Sequence, residues 1–209
     1  SKAVPEGDAY RITGTKIFIT WGEHDLARNI IHLVLARLPD GPEGTKGISL
    51  FMVPKLIPDE NGNPGLRNSL KVVSLEHKMG LHGSPTAVMQ YDGAKGWLVG
   101  APHKGMAAMF TMMNNARLGV GMQGVAVAEA AFQQALSYAQ DRKQGNTPLG
   151  AGAIIDHADV RRMLAEMKAE TFAARAIGLA CAVAIDMGRA TGQADWQARA
   201  ALLTPIAKA

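Results

Sequence analysis

At 209 residues, with 47% hydrophobic residues and a formal net charge of +4, the chain is long enough to bury a substantial core as one large domain or two small ones. Its lysines and arginines are dispersed, with no basic block or aromatic platform, which argues against nucleic acid as a partner. The single cysteine, Cys181, excludes an internal disulfide and fits a reducing, cytoplasmic compartment; no apolar run is read as approaching the ~18–20 residues of a membrane span, and no export signal is read at the start.

Residues 1–10, SKAVPEGDAY, read as a loop entering a strand. Residues 10–19 (YRITGTKIFI) are β-favouring, and Thr13-Gly14 suits a tight turn between two short strands. A polar loop follows over 20–25. Strands are expected over 30–37 (IIHLVLAR) and 48–53 (ISLFMV), the second ended by Pro54. The run DENGNPG at 59–65 is turn chemistry. Further strands are expected over 70–75, 87–91 and 97–99. About six short strands with no helices between them indicate an antiparallel barrel or sandwich over 1–102.

The second half, 103–209, is helical in character. Residues 105–142 contain no proline and are rich in Ala, Met, Leu and Gln, which predicts one long helix. Asn114, Arg117, Gly121 and Gly124 share a face of it. The two glycines cost ~1 kcal/mol each in helix propensity, which close approach by a backbone or a ligand would justify. After a Gly-rich loop at 146–155, Asp156 is placed to cap a second helix, with Ile155 and Val160 as a hydrophobic staple. The stripe Val160, Leu164, Met167, Thr171, Ala174, Cys181 carries that helix to about Met187. A third helix is expected over 195–203, and Thr204-Pro205 resembles the cap and first position of another. That last helix would have about one turn before the sequence stops, too little to be stable alone, which suggests a piece of a longer protein. The fold class is therefore α+β: an antiparallel β-barrel or sandwich followed by part of an up-down helical bundle.

Gly119-Val120-Gly121-Met122-Gln123-Gly124 matches G-x-G-x-x-G, with Asp141 further on, but no strand precedes it and no βαβ unit surrounds it. The six histidines lack metal-ligand spacing, so no metal is expected and each reads as a surface or core residue. Cys181, in an Ala-rich helix, reads as a buried inert thiol. Arg117 and Arg142 suit either pairing with a carboxylate or recognition of a phosphate, and spacing alone leaves both open.

Four stretches in order resemble the acyl-CoA dehydrogenase family over essentially the whole chain: YRITGTKIFIT (10–20), SLEHKMGLHGSPT (74–86), MMNNARLGVGMQGVA (112–126) and YAQDRKQG (138–145). GTKIFIT-x-G resembles the central-domain strand that lies against the flavin, and KMGLHGSPT the family's K-x-G-x-R-x-S-x-T segment, with His82 where arginine is usual. MMNNARL and DRKQG most resemble the subgroup of FadE-type and 3-methylmercaptopropionyl-CoA dehydrogenases. The resemblance implies a central β-domain and the first part of a C-terminal bundle. The family's N-terminal domain, the flavin-contacting segment before Ser1 and the region of the catalytic glutamate would lie outside this chain. The chain alone is therefore expected to be inactive, with no catalytic residue of its own.

The resemblance further implies FAD as cofactor, an acyl-CoA as substrate, an electron-transfer flavoprotein as acceptor, and a homodimer or homotetramer. By position, Phe18 would pack by the flavin and Thr20 would hydrogen-bond its polar edge. Arg142, with Gln144, would meet the FAD pyrophosphate of a neighbouring subunit. Asn114 and Arg117 would face the CoA, and Ser84 would line the same cleft. An acyl-CoA oxidase, a non-catalytic member of the family and a nicotinamide-dependent dehydrogenase using GVGMQG are the competing readings.

Overall fold

The computed structural model describes residues 1–150 and 152–208; Ala151, within the loop expected over 146–155, and Ala209, the last position of the second half, lie outside them. The chain divides into two compact units, residues 1–111 and 112–209.

The first unit is built on eight strands. β1 (Lys2–Glu6) and β2 (Ala9–Thr20) form a hairpin closed by Gly7-Asp8, with Gly7 at φ 63° as a two-residue turn requires. These first residues, expected as a loop, are a strand, and the Gly7-Asp8 pair is the local signal for the hairpin. β2 is one continuous strand, so the turn expected at Thr13-Gly14 does not form. β1 lines one edge of its first half and β8 (Thr86–Val99) zips along the other, holding it extended through bulges at Ile12/Thr13 and Lys16/Ile19. β8 likewise replaces the two short strands expected over 87–91 and 97–99. Its weak Asp92–Gly96 middle is held by pairing to β2, where Tyr10 faces Gly96 and Thr13 faces Asp92. Pairing partners here override local propensity.

β3 (Ile31–Arg37) and β4 (Ile48–Pro54) pair antiparallel over their full length, as the sequence implies. β5 (Leu56–Pro58) and β6 (Pro64–Arg67) make a small hairpin whose turn is tied by Asp59 Oδ1, which accepts from the backbone N–H of Asn61 (2.9 Å) and Asn63 (2.8 Å). β7 (Leu70–Leu75) shares one edge of β8 with β4. The order β2-β1-β3-β4-β8, with β8 returning to β2, closes a barrel. Its interior is filled by Ile12, Val34, Phe51, Val53, Met89 and Tyr91. Each such side chain contributes roughly 1.5–3 kcal/mol through burial.

α1 (Gly105–Asp141) begins in the first unit and supplies one wall of the second, with α2 (Ala158–Thr191) and α3 (Ala194–Lys208). α2 runs antiparallel to α1: Met122 lies over Gly178, and Arg175 reaches Glu129 at 2.7 Å. α3 folds back along α2, with Gln197 against Gly188 and Thr204 against Cys181. Gly192, at φ 67°, ends α2 in the left-handed cap that the sequence suggests. This is an up-down arrangement of three helices.

Two expectations fail here. Asp156 does not cap α2; it closes a short 3₁₀ turn (Ile154–Asp156), and His157 stands at the cap position without a side-chain bond to the helix's own N–H groups. Thr204-Pro205 does not begin a helix: both lie inside α3. Thr204 is buried and its hydroxyl donates back to the Ala200 carbonyl at 2.7 Å, the alternative use of a mid-helix threonine.

α2 also qualifies the expectation about membrane length. Within it an 18-residue window reaches a mean hydropathy of 1.4, enough by length and composition to cross a bilayer. Alanine makes this stretch apolar, while Thr171, Gly178, Cys181, Ala184 and Gly188 are buried in the unit.

Candidate functional site

The predicted residues fall into three groups. The first lies at the end of β2. The bulge between Lys16 and Ile19 turns Phe18 outward, with φ 58° and 67% of its surface exposed. A left-handed backbone at a bulky residue is strained by roughly 1–3 kcal/mol, and such strain gathers at binding sites. Trp21 is a second case, at φ 55°. Local sequence carries no sign of either. Thr20 is exposed between them and pairs with Thr86 of β8, and Trp21 N–H donates to the Pro85 carbonyl at 2.9 Å. Ser84, half-buried, adjoins that rung, so Thr20 and Ser84 meet at one edge of the barrel. The loop before Ser84 is fastened by Lys78, whose ammonium donates to the Leu81 (3.0 Å) and Ser84 carbonyls. His82 is exposed in that loop.

Beside this edge lies a groove of ≈ 350 Å³ lined by Lys16, Thr20, Trp21, His32, Leu33 and Tyr91, among others. His32 is only 7% exposed, and its Nδ1 lies 2.7 Å from the Tyr91 hydroxyl. Burial pushes Tyr91 up to about 12, so its phenol keeps its proton and donates it to Nδ1. The imidazole proton then sits on Nε2, which meets no partner at good hydrogen-bond geometry, although the Gly22 backbone lies near enough to favour the charged ring. Burial lowers the His32 pKa, and Glu23 and the Gly22 backbone oppose that without reversing it. Burial also raises the Glu23 carboxyl, but hydrogen bonds from Lys55 and Arg67 outweigh it and hold Glu23 below its usual value. Among the six histidines, each expected as a surface or core residue, His32 is a core one. The alternation of IIHLVLAR, which sets it on the face of Val34 and Ala36, was the signal for a core position.

The second group is Asn114 and Arg117, one turn apart on α1, with Arg117 Nη1 at 3.4 Å from Asn114 Oδ1. The third is Arg142 and Gln144, just past the end of α1, with Arg142 Nη2 at 3.4 Å from Gln144 Oε1. The loop there is pinned by Ile154 N–H donating to the Arg142 carbonyl (2.7 Å) and by His157 Nε2 at 2.9 Å from the Gln144 carbonyl. Both side chains of this third group are exposed, and Lys143 adds a further exposed cation. Arg117 and Arg142 are not brought together: the 24 residues between them all lie in α1, which sets the two about 37 Å apart along the helix axis. Residues 119–124 lie inside α1, with no strand before them, so the GVGMQG run is no dinucleotide loop and the nicotinamide reading falls. Cys181 is buried with its sulfur 3.6 Å from the Thr204 hydroxyl, as an inert thiol would be.

Residues 103–204 match the family model "Acyl-CoA dehydrogenase, C-terminal domain". The chain is 53% identical to a 3-methylmercaptopropionyl-CoA dehydrogenase of Ruegeria pomeroyi, over 99% of this chain and 36% of that protein. It is 42% identical to the broad-specificity linear acyl-CoA dehydrogenase FadE5 of Mycobacterium tuberculosis, over 86% of this chain and 32% of the relative. It thus spans about a third of the length of these curated relatives. Among solved structures, Caenorhabditis elegans ACDH-11 in complex with C11-CoA superposes with a TM-score of 0.82 over 99% of this chain and 33% of that one, at 26% identity. Butyryl-CoA dehydrogenase from Megasphaera elsdenii gives 0.75 over 99% and 49%, also at 26% identity.

Proposed function

Because the chain belongs to the acyl-CoA dehydrogenase family, we propose that residues 1–102 are its central β-domain and 103–209 the first part of its C-terminal bundle, within a longer protein that introduces a trans-2 double bond into an acyl-CoA. The observation that carries this reading is Phe18, an exposed ring held on a strained backbone beside the Thr20 hydroxyl. The pair offers an apolar face and a hydrogen-bond donor to a planar, polar-edged ring, which fits the isoalloxazine of FAD. When bound, FAD supplies the two-electron acceptor for the β-hydrogen of the acyl group.

The chain's own residues hold and orient. Phe18 and Thr20 hold the ring system, and Ser84 lines the cleft edge beside them. Arg142, with Gln144, presents a guanidinium fork to the pyrophosphate of FAD bound by a neighbouring subunit, which calls for a homodimer or homotetramer. Asn114 and Arg117 face the CoA. The general base that removes the α-proton is assigned to a carboxylate outside this chain, so the 209 residues alone are inactive. A cytoplasmic setting and reoxidation by an electron-transfer flavoprotein complete the reading.

The test is acyl-CoA dehydrogenation by the longer protein with an artificial electron acceptor. Turnover with bound flavin is expected. Flavin without turnover on any chain length would favour a non-catalytic member, and neither flavin nor turnover would end the reading. Arg117→Ala is expected to raise KM for acyl-CoA ~10–100-fold with kcat little changed, the value of a charge-assisted hydrogen bond made equally in ground and transition states.

A further inference from the structure

The connection from β2 to β3, residues 21–30, starts on Trp21, whose left-handed backbone a bulky residue keeps only when its surroundings impose it. Gly22 follows, seated so tightly that a Cβ there would come within 2.8 Å of the Met89 sulfur and 3.0 Å of the Ile19 side chain. Glu23 comes next and carries two ion pairs. Its Oε1 meets Lys55 Nζ, and its Oε2 lies 2.5 Å from Arg67 Nη2. Lys55 directly precedes β5, and Arg67, the last residue of β6, faces Leu56. One carboxylate thus ties the connection to both strands of the small hairpin at its open end.

Other bonds repeat the tie. Lys55 Nζ also donates to the His24 carbonyl at 2.9 Å. Asn29 grips the Leu56 main chain both ways: its Nδ2 donates to the carbonyl at 2.8 Å, and its Oδ1 accepts from the N–H at 2.9 Å. The Trp21 and His24 rings meet edge to face, with centroids 5.8 Å apart. The Lys55 and Glu23 side chains are only 17% and 27% exposed, so water and salt screen this pair less than a surface ion pair. Outside this clasp, Trp21 presents a 39% exposed ring and lines the same groove as Thr20.

We propose that Glu23 is a positioning residue for the flavin: its grip on Lys55 and Arg67 locks the backbone at Trp21, whose ring then serves, with Phe18 and Thr20, as a further contact for the isoalloxazine. The proposal rests on the flavin reading of Phe18 and Thr20. Glu23 acts through Trp21, so its effect on flavin binding depends on that ring being present.

The test measures FAD dissociation constants of the longer protein in a double-mutant cycle of Glu23→Ala and Trp21→Ala, with Thr20→Ala and Phe18→Gly as site controls. Glu23→Ala is expected to raise the Kd about tenfold, the consequence of breaking a shielded ion pair. Glu23→Gln, which keeps an acceptor for the two cations, is expected to recover part of that loss, and it carries the same cycle where Glu23→Ala does not fold. In the Trp21→Ala background, removing Glu23 is expected to change the Kd less than about twofold. A merely structural role would lower the thermal midpoint and leave the two substitutions additive in Kd. Additivity, or native FAD affinity in Glu23→Ala while the site controls bind weakly, would overturn the proposal and leave the flavin reading standing. Native affinity in both site controls would overturn the flavin reading and the proposal with it.

Discussion

Tyr91 and His32 form a buried pair whose energetics are open to measurement. Tyr91→Phe removes the donor to His32 Nδ1 and leaves that nitrogen buried without a partner, so it should cost ~1–3 kcal/mol in denaturant unfolding at neutral pH. The pair also gives stability a pH dependence at both ends. The folded state holds His32 neutral below the unfolded value of about 6.5, so it binds fewer protons than the unfolded chain. This contribution is present above pH ~6.5 and is lost as pH falls through the lowered folded value. Tyr91 has the opposite sign: raised to about 12, it contributes below the unfolded value of about 10 and loses that contribution as pH climbs from there through about 12. Unfolding midpoints across pH should fall at both ends in the native chain, with His32→Gln flattening the acid limb and Tyr91→Phe the alkaline one. An unchanged acid limb in His32→Gln would show that other groups govern it.

At the level of elements, the two glycines that share a face with Arg117 separate. A Cβ at Gly121 would run into the Ala207 carbonyl of α3, whereas one at Gly124 meets nothing within 4 Å. Gly121→Ala should therefore destabilise by roughly 1–3 kcal/mol through overpacking, and Gly124→Ala should stabilise by about 1 kcal/mol through helix propensity. Thermal unfolding of both variants decides this, and equal effects would refute the assigned packing. The long helices and the strands β3, β4 and β7 were legible because their periodicity and their punctuation agree: Pro54 closes β4, and Gly192 closes α2. Misreadings arose where tertiary pairing overrode a local signal. Thr13-Gly14 reads as a turn, and residues 92–96 fall between two expected strands, but both stretches lie inside long strands zipped together. Thr204-Pro205 reads as a helix start but continues α3, because packing around the buried threonine outweighs the missing N–H.

For the whole molecule, ligand linkage gives the broadest prediction. If the longer protein binds FAD, cofactor at 100 times its Kd should stabilise it by about 2.7 kcal/mol, and Arg142→Ala should diminish the thermal shift seen at a fixed FAD concentration. The motif residues of the candidate site were legible as chemistry, since Thr20, Asn114 and Arg117 are exposed or half-exposed polar groups in recognisable phrases. Their grouping was not, because the Thr20–Ser84 proximity depends on the pairing of strands more than sixty residues apart in the chain. The left-handed backbone at Phe18 has a consequence for how the protein tolerates change. Glycine adopts that conformation freely, so Phe18→Gly should leave folding stability within about 1 kcal/mol of the native chain while removing the exposed ring. With Phe18 packed against FAD as proposed, position 18 is a place where robustness of the fold and grip on a ligand come apart: a screen for expression or heat resistance should accept the glycine that a screen for flavin retention should reject.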